Sequence, residues 1–248
     1  HVSNVYAYSD SRELAAVFQG KPGYTYARQG TPTTAALELQ DTNMEQGEAT
    51  VSFATGMAAL AATFLALLRQ GDHLISSKYI FGNTNSLLMT LEQFGVELSL
   101  VDATDATEVA AAIRPNTRMV FVETIANPGA QVADLAAIGD LCNQHNLVYV
   151  VDSTLSTPYL CPSKFYGASL VVNSLSKHIG GHGNGLGGAV TQTGLYDWTD
   201  YPNIYDAYRK GSPRNWGLLQ IKKKGLRDMG GTLSSDVAHR MAAGAETL

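Results

Sequence analysis

The sequence alternates short apolar runs with longer stretches of helical periodicity, and this alternation constrains the fold more than any other feature. Apolar runs of this length are typical of strands buried on both faces of a sheet. Strands alternating with helices of ten or more residues predict a mostly parallel central sheet flanked by helices, in the α/β class. The predicted strands are residues 49–53, 73–76, 96–101, 119–122, 147–151 and 169–172. The predicted helices are residues 11–18, 35–46, 58–68, 105–113, 132–145 and 216–229, with others ending near residue 94 and beginning near 234.

Length and composition exclude several classes of protein. The 248 residues are 45% hydrophobic, which is enough for one large domain with a substantial core. A net charge of −5 leaves no basic face, so no nucleic-acid partner is expected. No apolar stretch approaches the ~20 residues of a membrane helix, so no membrane association is expected. Cys142 and Cys161 lie too far apart in the sequence to suggest a disulfide framework, which favours a cytoplasmic location.

Residues 171–188, VVNSLSKHIGGHGNGLGG, place one lysine between a predicted strand and a glycine-rich turn. Ligands of open α/β sheets bind at the carboxyl ends of strands, where Lys177 falls. In an apolar, water-poor setting a lysine is less stable as the ammonium ion, and its free amine can form a Schiff base. Ser174 and Ser176 alternate along the predicted strand end, so both hydroxyls can reach an anion on one side. We interpret Lys177 as the residue that carries pyridoxal phosphate.

Other interpretations of this segment fit less well. The chain contains no G-x-x-x-x-G-K-[ST] string, which excludes a Walker A loop. His178 and His182 would need a helix between them to share a metal, and Ile-Gly-Gly is a poor helix, so no metal site is predicted. A solvated surface lysine is the general alternative for Lys177. Six glycines let the backbone pass close to a flat ligand or adopt positive φ, at positions 180, 181, 183, 185, 187 and 188.

Asp152 follows five apolar residues and is therefore expected to lie buried at a strand end. A buried carboxylate is costly unless it is paired. A protonated pyridine nitrogen is a suitable partner, and its charge makes the cofactor ring an electron sink. From the residue alone, a turn or helix-capping aspartate is an equal alternative.

Two other segments have features of anion sites. Residues 55–59, TGMAA, join a predicted strand to a predicted helix, so the N–H groups near Gly56 and Met57 and the helix dipole would face an anion. Glycine turns of this kind are common in α/β proteins. Tyr26 and Arg28 lie in a surface segment rich in Gly, Pro and Tyr. They are either an exposed ring and a solvated charge, or groups that reach a phosphate on a neighbouring subunit.

Five separated motifs occur in one order along the chain. They are Y-x-R at 26–28, G-M-A-A at 56–59, E-x(3)-N-P at 123–128, V-V-D-S-T at 150–154 and S-x-S-K at 174–177. Together they resemble the Cys/Met-metabolism family of pyridoxal-phosphate enzymes, which includes cystathionine γ-synthase, cystathionine lyases, methionine γ-lyase and O-acylhomoserine sulfhydrylases. The resemblance extends from about residue 7 to the last residue.

The resemblance implies a role for each matching position. Lys177 is similar to the Schiff-base lysine of the family, and Asp152 to the partner of the pyridine nitrogen. The phosphate-binding positions are Ser174, Ser176, Gly56 and Met57, with Tyr26 and Arg28 completing the cup from the adjacent subunit. Asn127 matches the residue near the ring hydroxyl, and Thr154 is included with the cofactor-binding residues. A fold-type-I, aspartate-aminotransferase-like large domain and a homodimer or homotetramer with shared active sites are also implied.

The sequence departs from the family pattern in two ways. At the position of Phe81, many members have a tyrosine that stacks on the cofactor ring and passes a proton to the leaving group. Phenylalanine keeps the ring face but has no hydroxyl, so a different group must donate any proton to the leaving group. We expect the sequence to be a fragment or processed piece of a longer protein, because nothing in it matches the carboxy-terminal domain of the family, with the arginine that binds the substrate carboxylate. The expected organisation is a subunit-contacting segment at 1–35, a cofactor-binding domain at 36–230, and the start of a connection at 231–248.

These features favour γ-replacement on an O-acylhomoserine by sulfide or a thiol, giving homocysteine or cystathionine. Phe81 in the string Phe-Gly-Asn-Thr is similar to what some homoserine-ester sulfhydrylases have, and it supports this preference. The first alternative is a γ-lyase that converts methionine or cystathionine to a 2-oxo acid and ammonia. The second alternative is a cofactor-binding protein without turnover. A nucleotide-binding α/β module fits less well, because no G-x-G-x-x-G string follows the early predicted strands.

Overall fold

A central seven-stranded sheet organises the computed structural model, which describes residues 2–248. The order of its strands across the sheet is β1-β7-β6-β5-β4-β2-β3. The strands are β1 Ala49–Phe53, β2 His73–Ser77, β3 Glu97–Val101, β4 Thr117–Glu123, β5 Val148–Asp152, β6 Leu170–Asn173 and β7 Gly188–Gln192. All pairings from β3 through β6 are parallel, whereas β7 is antiparallel to both of its neighbours.

The sequence predicts six of these strands to within two residues at either end but does not predict β7. Gly188–Gln192 begins with the glycine that ends the glycine-rich turn and contains one strongly apolar residue, Val190. Every residue of β7 is nevertheless buried, because the strand lies between β1 and β6. Its place in the middle of the sheet follows from pairing with distant strands, which local composition does not report.

Helices cover both faces of the sheet. They are α1 Ser11–Phe18, α2 Pro32–Met44, α3 Gly56–Leu67, α4 Gly82–Gln93, α5 Ala106–Ala112, α6 Leu135–Gln144, α7 Thr157–Leu160, α8 Trp216–Gln220 and α9 Ser235–Ala245. A π-helical segment, Ile221–Asp228, continues directly from α8, so the helix predicted at 216–229 changes its hydrogen-bonding pattern part way along. No helix in the described part of the chain is long and apolar enough to cross a membrane.

The strands alternate their side chains between two apolar cores, as a sheet buried on both faces requires. In β4, Met119 and Phe121 pack into the core beneath α3, α4 and the π-helical segment. Val120 and Val122 pack into the opposite core with α5 and α6. The unbroken apolar run of this strand is therefore explained by burial on two sides.

A third apolar cluster lies behind the turn that follows β6. Leu175 and Ile179 of that turn pack with Leu37 of α2 and with Met241 of α9. The segment after residue 230 therefore packs against the rest of the chain through α9. The domain boundaries predicted at 35 and 230 stay a prediction.

Helix α2 turns three acidic side chains toward the sheet. Thr31 caps this helix and Pro32 occupies its first position, so it begins three residues before the predicted start. The carboxyl groups of Glu38 and Asp41, and that of Glu45, which caps the carboxyl end of α2, recur at helical spacing on the same inner face. Asp41 and Glu45 have no exposed surface, although burial penalises a charged carboxylate.

Candidate active site

A cavity of about 200 Å³ lies at the carboxyl ends of β4, β5 and β6. The loops that follow these parallel strands meet at one edge of the sheet, together with the start of α3. Nine residues predicted from the sequence line this cavity, namely Gly56, Met57, Phe81, Asn127, Asp152, Thr154, Ser174, Ser176 and Lys177. A larger groove of about 530 Å³ lies beside α6 and residues 164–167, and it contains none of these side chains.

Lys177 lies in a tight turn directly after β6. Its N–H donates to the carbonyl of Ser174 at 3.1 Å, and its own carbonyl accepts from Gly181 at 2.8 Å. The side chain lines the cavity but is exposed. The expectation of a water-poor setting for this lysine is therefore wrong in the single chain, because the turn lies at the open side of the cavity.

Asp152 ends β5 and lies at the inner side of the cavity. Its Oδ1 atom accepts the backbone N–H of Thr154 at 2.9 Å. Burial raises the pKa of this carboxyl group above its usual range, and the hydrogen bonds from Thr154 lower it only in part. No Lys, Arg or His forms an ion pair with Asp152 among residues 2–248. The side chain retains some accessible surface, and the carboxylate lines the cavity.

The start of α3 presents free backbone donors at the cavity. The Thr55 side chain caps this helix by accepting from Ala58 at 3.0 Å. The N–H groups of Gly56 and Met57, in the first helical turn, have no acceptor among the described residues. A Cβ atom on Gly56 would fall 2.8 Å from the Cβ of Ser174, so glycine allows the two segments to meet. These donors and the helix dipole can bind an anion.

Thr154 connects Asp152 to the segment that contains the lysine. Its N–H donates to Asp152, and its hydroxyl accepts the N–H of Ser174 at 2.8 Å. The two segments are thereby held in fixed relation. A single threonine thus orients both a carboxylate and a candidate anion-binding serine.

Ser176 lies at the cavity, but its hydroxyl forms hydrogen bonds within the chain. It donates to the carbonyl of Gly187 at 3.2 Å and accepts the N–H of Gly187 at 2.9 Å. Both bonds close the glycine-rich loop at its base. The hydroxyl therefore has a structural partner in addition to any anion that it binds.

The glycines after Lys177 mostly allow close packing within the protein. Side chains at Gly180 and Gly185 would collide with Met241 of α9, and one at Gly188 would collide with the carbonyl of Thr55. Gly181 and Gly183 have φ of 68° and 61°, in the left-handed region that favours glycine. The sequence offered two explanations for these glycines, and packing or positive φ explains the five named here. Close approach to a flat ligand is therefore not needed to account for them.

Phe81, Asn127 and Glu123 form the remaining polar and aromatic wall. Phe81 precedes α4 and is 42% exposed, so its ring face is available to a ligand in the cavity. The sequence assigned no role to Glu123, although it is the first residue of the E-x(3)-N-P motif. Its Oε1 atom accepts the N–H of Phe81 at 2.7 Å. The sequence contains a signal for Glu123, because an acidic residue that follows an apolar run and immediately precedes a polar loop is expected to be a buried acid at a strand end.

Tyr26 and Arg28 lie away from this cavity. The guanidinium of Arg28 lies over the Tyr26 ring, with its Cζ atom 5.4 Å from the ring centroid. The Nη1 atom of Arg28 donates to the carbonyl of Arg227. Both side chains are exposed, so the structure does not bring them to the other predicted residues of the same chain. Their predicted role on a neighbouring subunit stays a prediction.

The residues around the cavity fit pyridoxal phosphate. Asp152 has no cationic partner in the described chain and suits a protonated ring nitrogen, because a cation there would offset the cost of its partial burial. The free N–H groups of Gly56 and Met57 suit a phosphate. Lys177 supplies the only amine side chain that lines the cavity among the described residues.

Solved structures share this fold. A Campylobacter jejuni protein assigned as an O-acetylhomoserine (thiol)-lyase, solved with a pyridoxyl-lysine phosphate, aligns with a TM-score of 0.91 and 28% identity over the whole chain. Cystathionine γ-lyase from Lactobacillus plantarum aligns with a TM-score of 0.83 and 28% identity, also over the whole chain. The predicted fold-type-I α/β arrangement is confirmed.

Sequence comparison gives the same grouping. L-methionine γ-lyase of Pseudomonas deceptionensis is 36% identical over 253 residues, which cover 100% of this chain and 58% of that protein. O-acetyl-L-homoserine sulfhydrylase of Corynebacterium glutamicum is 34% identical over 242 residues, which cover 91% of this chain and 55% of that protein. The chain thus spans little more than half the length of these curated relatives. The model of the family described as Cys/Met metabolism PLP-dependent enzyme matches residues 1–248. The chain belongs to this family, as its motifs predicted, and the cofactor of the family is pyridoxal phosphate.

Proposed function

We propose that the whole protein is a transferase that exchanges the γ-substituent of an O-acylhomoserine for sulfide or a thiol. The observation that carries the proposal is the meeting of Lys177, Asp152 and the free N–H groups of α3 around one cavity. These groups supply an amine, a counter-ion and an anion site in one place. Cys142 and Cys161, both free, fit a reducing compartment such as the cytoplasm.

Lys177 is the proposed attachment point for the cofactor and the proposed carrier of protons. After the substrate amine has replaced it, the lysine amine is free to remove a proton from Cα and later one from Cβ. Its exposed position lets the side chain move between these atoms. When bound, pyridoxal phosphate supplies an electron sink for the carbanion that forms at Cα.

Asp152 and the surrounding backbone are proposed to hold the cofactor in place. The carboxylate of Asp152 would keep the ring nitrogen protonated. The ring of Phe81 would pack against the cofactor ring, and Asn127 would lie near its hydroxyl group. The remaining lining residues would bind the phosphate, namely Ser174, Ser176, Thr154, Gly56 and Met57.

We propose a homodimer in which Tyr26 and Arg28 of one copy complete the phosphate site of the other. Both side chains are exposed on the surface of the single chain. A guanidinium and a phenol hydroxyl are suitable donors for a phosphate. A dimer with two-fold symmetry would place two such contributions reciprocally.

A γ-lyase is the second candidate, and the comparisons provide its support. Relatives named L-methionine γ-lyase are 36% and 40% identical to this chain in their aligned regions. Replacement is preferred because Phe81 has no hydroxyl with which to protonate a leaving group. The carboxylate that leaves an O-acylhomoserine is weakly basic and needs no proton, whereas the thiolate that leaves methionine or cystathionine is more basic and does.

Product analysis with the full-length protein tests the preference. We expect homocysteine from O-acetyl- or O-succinylhomoserine with sulfide, at a rate well above 2-oxobutyrate formation from methionine. A dominant yield of 2-oxobutyrate from methionine would reverse the preference in favour of the lyase. A yellow protein that borohydride reduces at Lys177, but that converts neither substrate, would support cofactor binding without turnover.

A further inference from the structure

Two acidic residues end neighbouring strands at the inner side of the cavity. Glu123 is the last residue of β4 and Asp152 the last of β5, and the two are paired in the parallel register. Residues paired in this way lie about 4.8 Å apart at the backbone and direct their side chains to the same face. The proposed function uses Asp152 and leaves Glu123 without a role.

The Glu123 carboxylate binds the loop that leads into α4, which forms one part of the cavity wall. Its Oε1 atom accepts the N–H of Phe81 at 2.7 Å. The backbone N–H of Asn127, in the loop that follows β4, lies near enough to lower the pKa of this carboxyl group. Phe81 is the cap residue of α4 and has no side chain that could bond this helix end. Glu123 supplies from β4 the bond to the cap N–H that a capping-box glutamate would supply from within a helix.

The charge of Glu123 depends on its surroundings. The pKa of its carboxyl group is raised to about 7, chiefly by burial and also by the neighbouring Asp152, although the N–H of Phe81 lowers it. Either oxygen of an ionised carboxylate can accept the Phe81 N–H, whereas protonation turns one oxygen into a donor. The bond from Phe81 therefore favours the ionised form.

We propose that Glu123 is a positioning residue: its carboxylate fixes the backbone at Phe81 beside Asp152, and so sets the wall against which the cofactor packs. This inference rests on the proposed function. Phe81 presents its ring to the cavity, and its N–H bond to Glu123 ties the start of α4 to β4. Loss of the carboxylate releases this part of the wall.

Cofactor titration of the full-length apoprotein tests this role. Glu123→Ala is expected to raise the dissociation constant of pyridoxal phosphate about tenfold, because the hydrogen bond to Phe81 that orders the wall is lost. The visible circular dichroism of the bound cofactor is expected to fall, because ring orientation is less fixed. Glu123→Gln keeps one acceptor oxygen and is expected to fall between this variant and the unsubstituted protein.

Glu108 offers a matched control. Its Oε2 atom accepts the N–H of Asp102 at 2.8 Å on an exposed surface away from the cavity. Glu108→Ala and Glu108→Gln are expected to leave cofactor affinity and the visible dichroism unchanged. A purely structural role of Glu123 would alter thermal stability without altering the dichroism of bound cofactor.

The results of these titrations distinguish failure of the positioning role of Glu123 from failure of the proposed function. Unchanged affinity and dichroism in Glu123→Ala, with normal binding by the unsubstituted protein, would overturn the positioning role alone. An unsubstituted full-length protein that binds no pyridoxal phosphate would overturn the proposed function itself. If Glu123→Ala does not fold, the Glu123→Gln titration decides by the same criteria.

Discussion

Asp152 combines a cost to folding with a proposed benefit to cofactor binding. Its carboxyl group is partly buried beside Glu123, and no cation in the described chain is paired with it. Replacing it with asparagine should therefore stabilise the apoprotein, because an uncompensated buried charge is removed. The same change should lower the rate of substrate conversion by about a hundredfold, since the electrostatic partner of the ring nitrogen is lost.

Melting temperature of the apoprotein and turnover of the holoprotein measure the two effects of Asp152→Asn. Asp140→Asn, on the exposed side of α6, is the control and should change neither quantity. A variant that melts lower than the unsubstituted apoprotein would contradict the proposed cost of this charge.

Gly56 offers a test of the proposed phosphate site. A methyl group there would lie 2.8 Å from the Cβ of Ser174, so alanine should push the start of α3 away from the serine. We expect Gly56→Ala to weaken binding of pyridoxal phosphate much more than binding of pyridoxal, which has no phosphate. Titration of the apoprotein with each compound gives the ratio. Gly82→Ala is the matched control, because no atom lies within 4 Å of a Cβ at this first residue of α4.

At the scale of an element, α2 is defined by its buried acidic face. The Asn173 side chain donates to Glu45 at 2.6 Å, and Thr191 donates to Asp41 at 3.0 Å. The second oxygens of both carboxyl groups are buried and have no partner among the described residues. Burial, together with the charge of Asp41, raises the pKa of Glu45 to about 8. Burial also raises the pKa of Asp41 to about 6.

These shifts predict how the free energy of unfolding depends on pH. Folded Glu45 holds its proton more tightly than the unfolded chain does, so its contribution is complete below about pH 4.5 and is lost as pH rises to about 8. Between these pH values, the free energy of unfolding is expected to fall by up to about 1.4 kcal/mol per pH unit because of this group. Glu45→Gln should flatten this decline in urea unfolding, whereas the exposed Glu48→Gln should preserve it. An unchanged slope in Glu45→Gln would show that Glu45 is ionised in the folded state.

The elements were predictable wherever a segment carries its own pattern. Parallel strands such as β4 are largely apolar runs, and α3 begins with a glycine directly after a capping threonine, so both can be predicted from local sequence. The inner strand β7 was missed because its burial depends on β1 and β6, which are distant in sequence. The site residues were predictable for the same reason. Lys177 and Asp152 each come shortly after an apolar run, which is a local pattern. The bond between Glu123 and Phe81 joins residues 42 positions apart, so no local pattern predicts it.

At the scale of the whole molecule, the proposed shared site predicts complementation between defective subunits. Lys177→Ala removes the amine from a subunit's own cavity, and Arg28→Ala removes the group proposed to reach the partner. Each variant alone should be inactive or nearly so. Co-expression of the two should restore about one quarter of the normal activity, because half of the dimers are mixed and each mixed dimer has one intact site.

Activity per dimer checks this prediction, which gives about one quarter of normal activity for the unfractionated dimers and about one half for mixed dimers purified by two different affinity tags. Lys177→Ala co-expressed with Lys177→Ala carrying the other tag is the control and should stay inactive. Absence of recovery in mixed dimers that have normal stability would place Arg28 in its own subunit's site or outside any site.

The contacts of α9 determine how the chain can be divided. Met241 fills the space beside Gly180 and Gly185, and the backbone at Gly244 touches that at Gly180. The loop that contains Lys177, the proposed attachment point of the cofactor, is thus supported by residues far downstream in the sequence. Trimming the polypeptide at residue 230, whether by limited proteolysis or by a cloning boundary, would leave Leu175 and Ile179 facing water. The smallest fragment that keeps the packing behind the Lys177 loop therefore extends through Ala245, the last residue of α9.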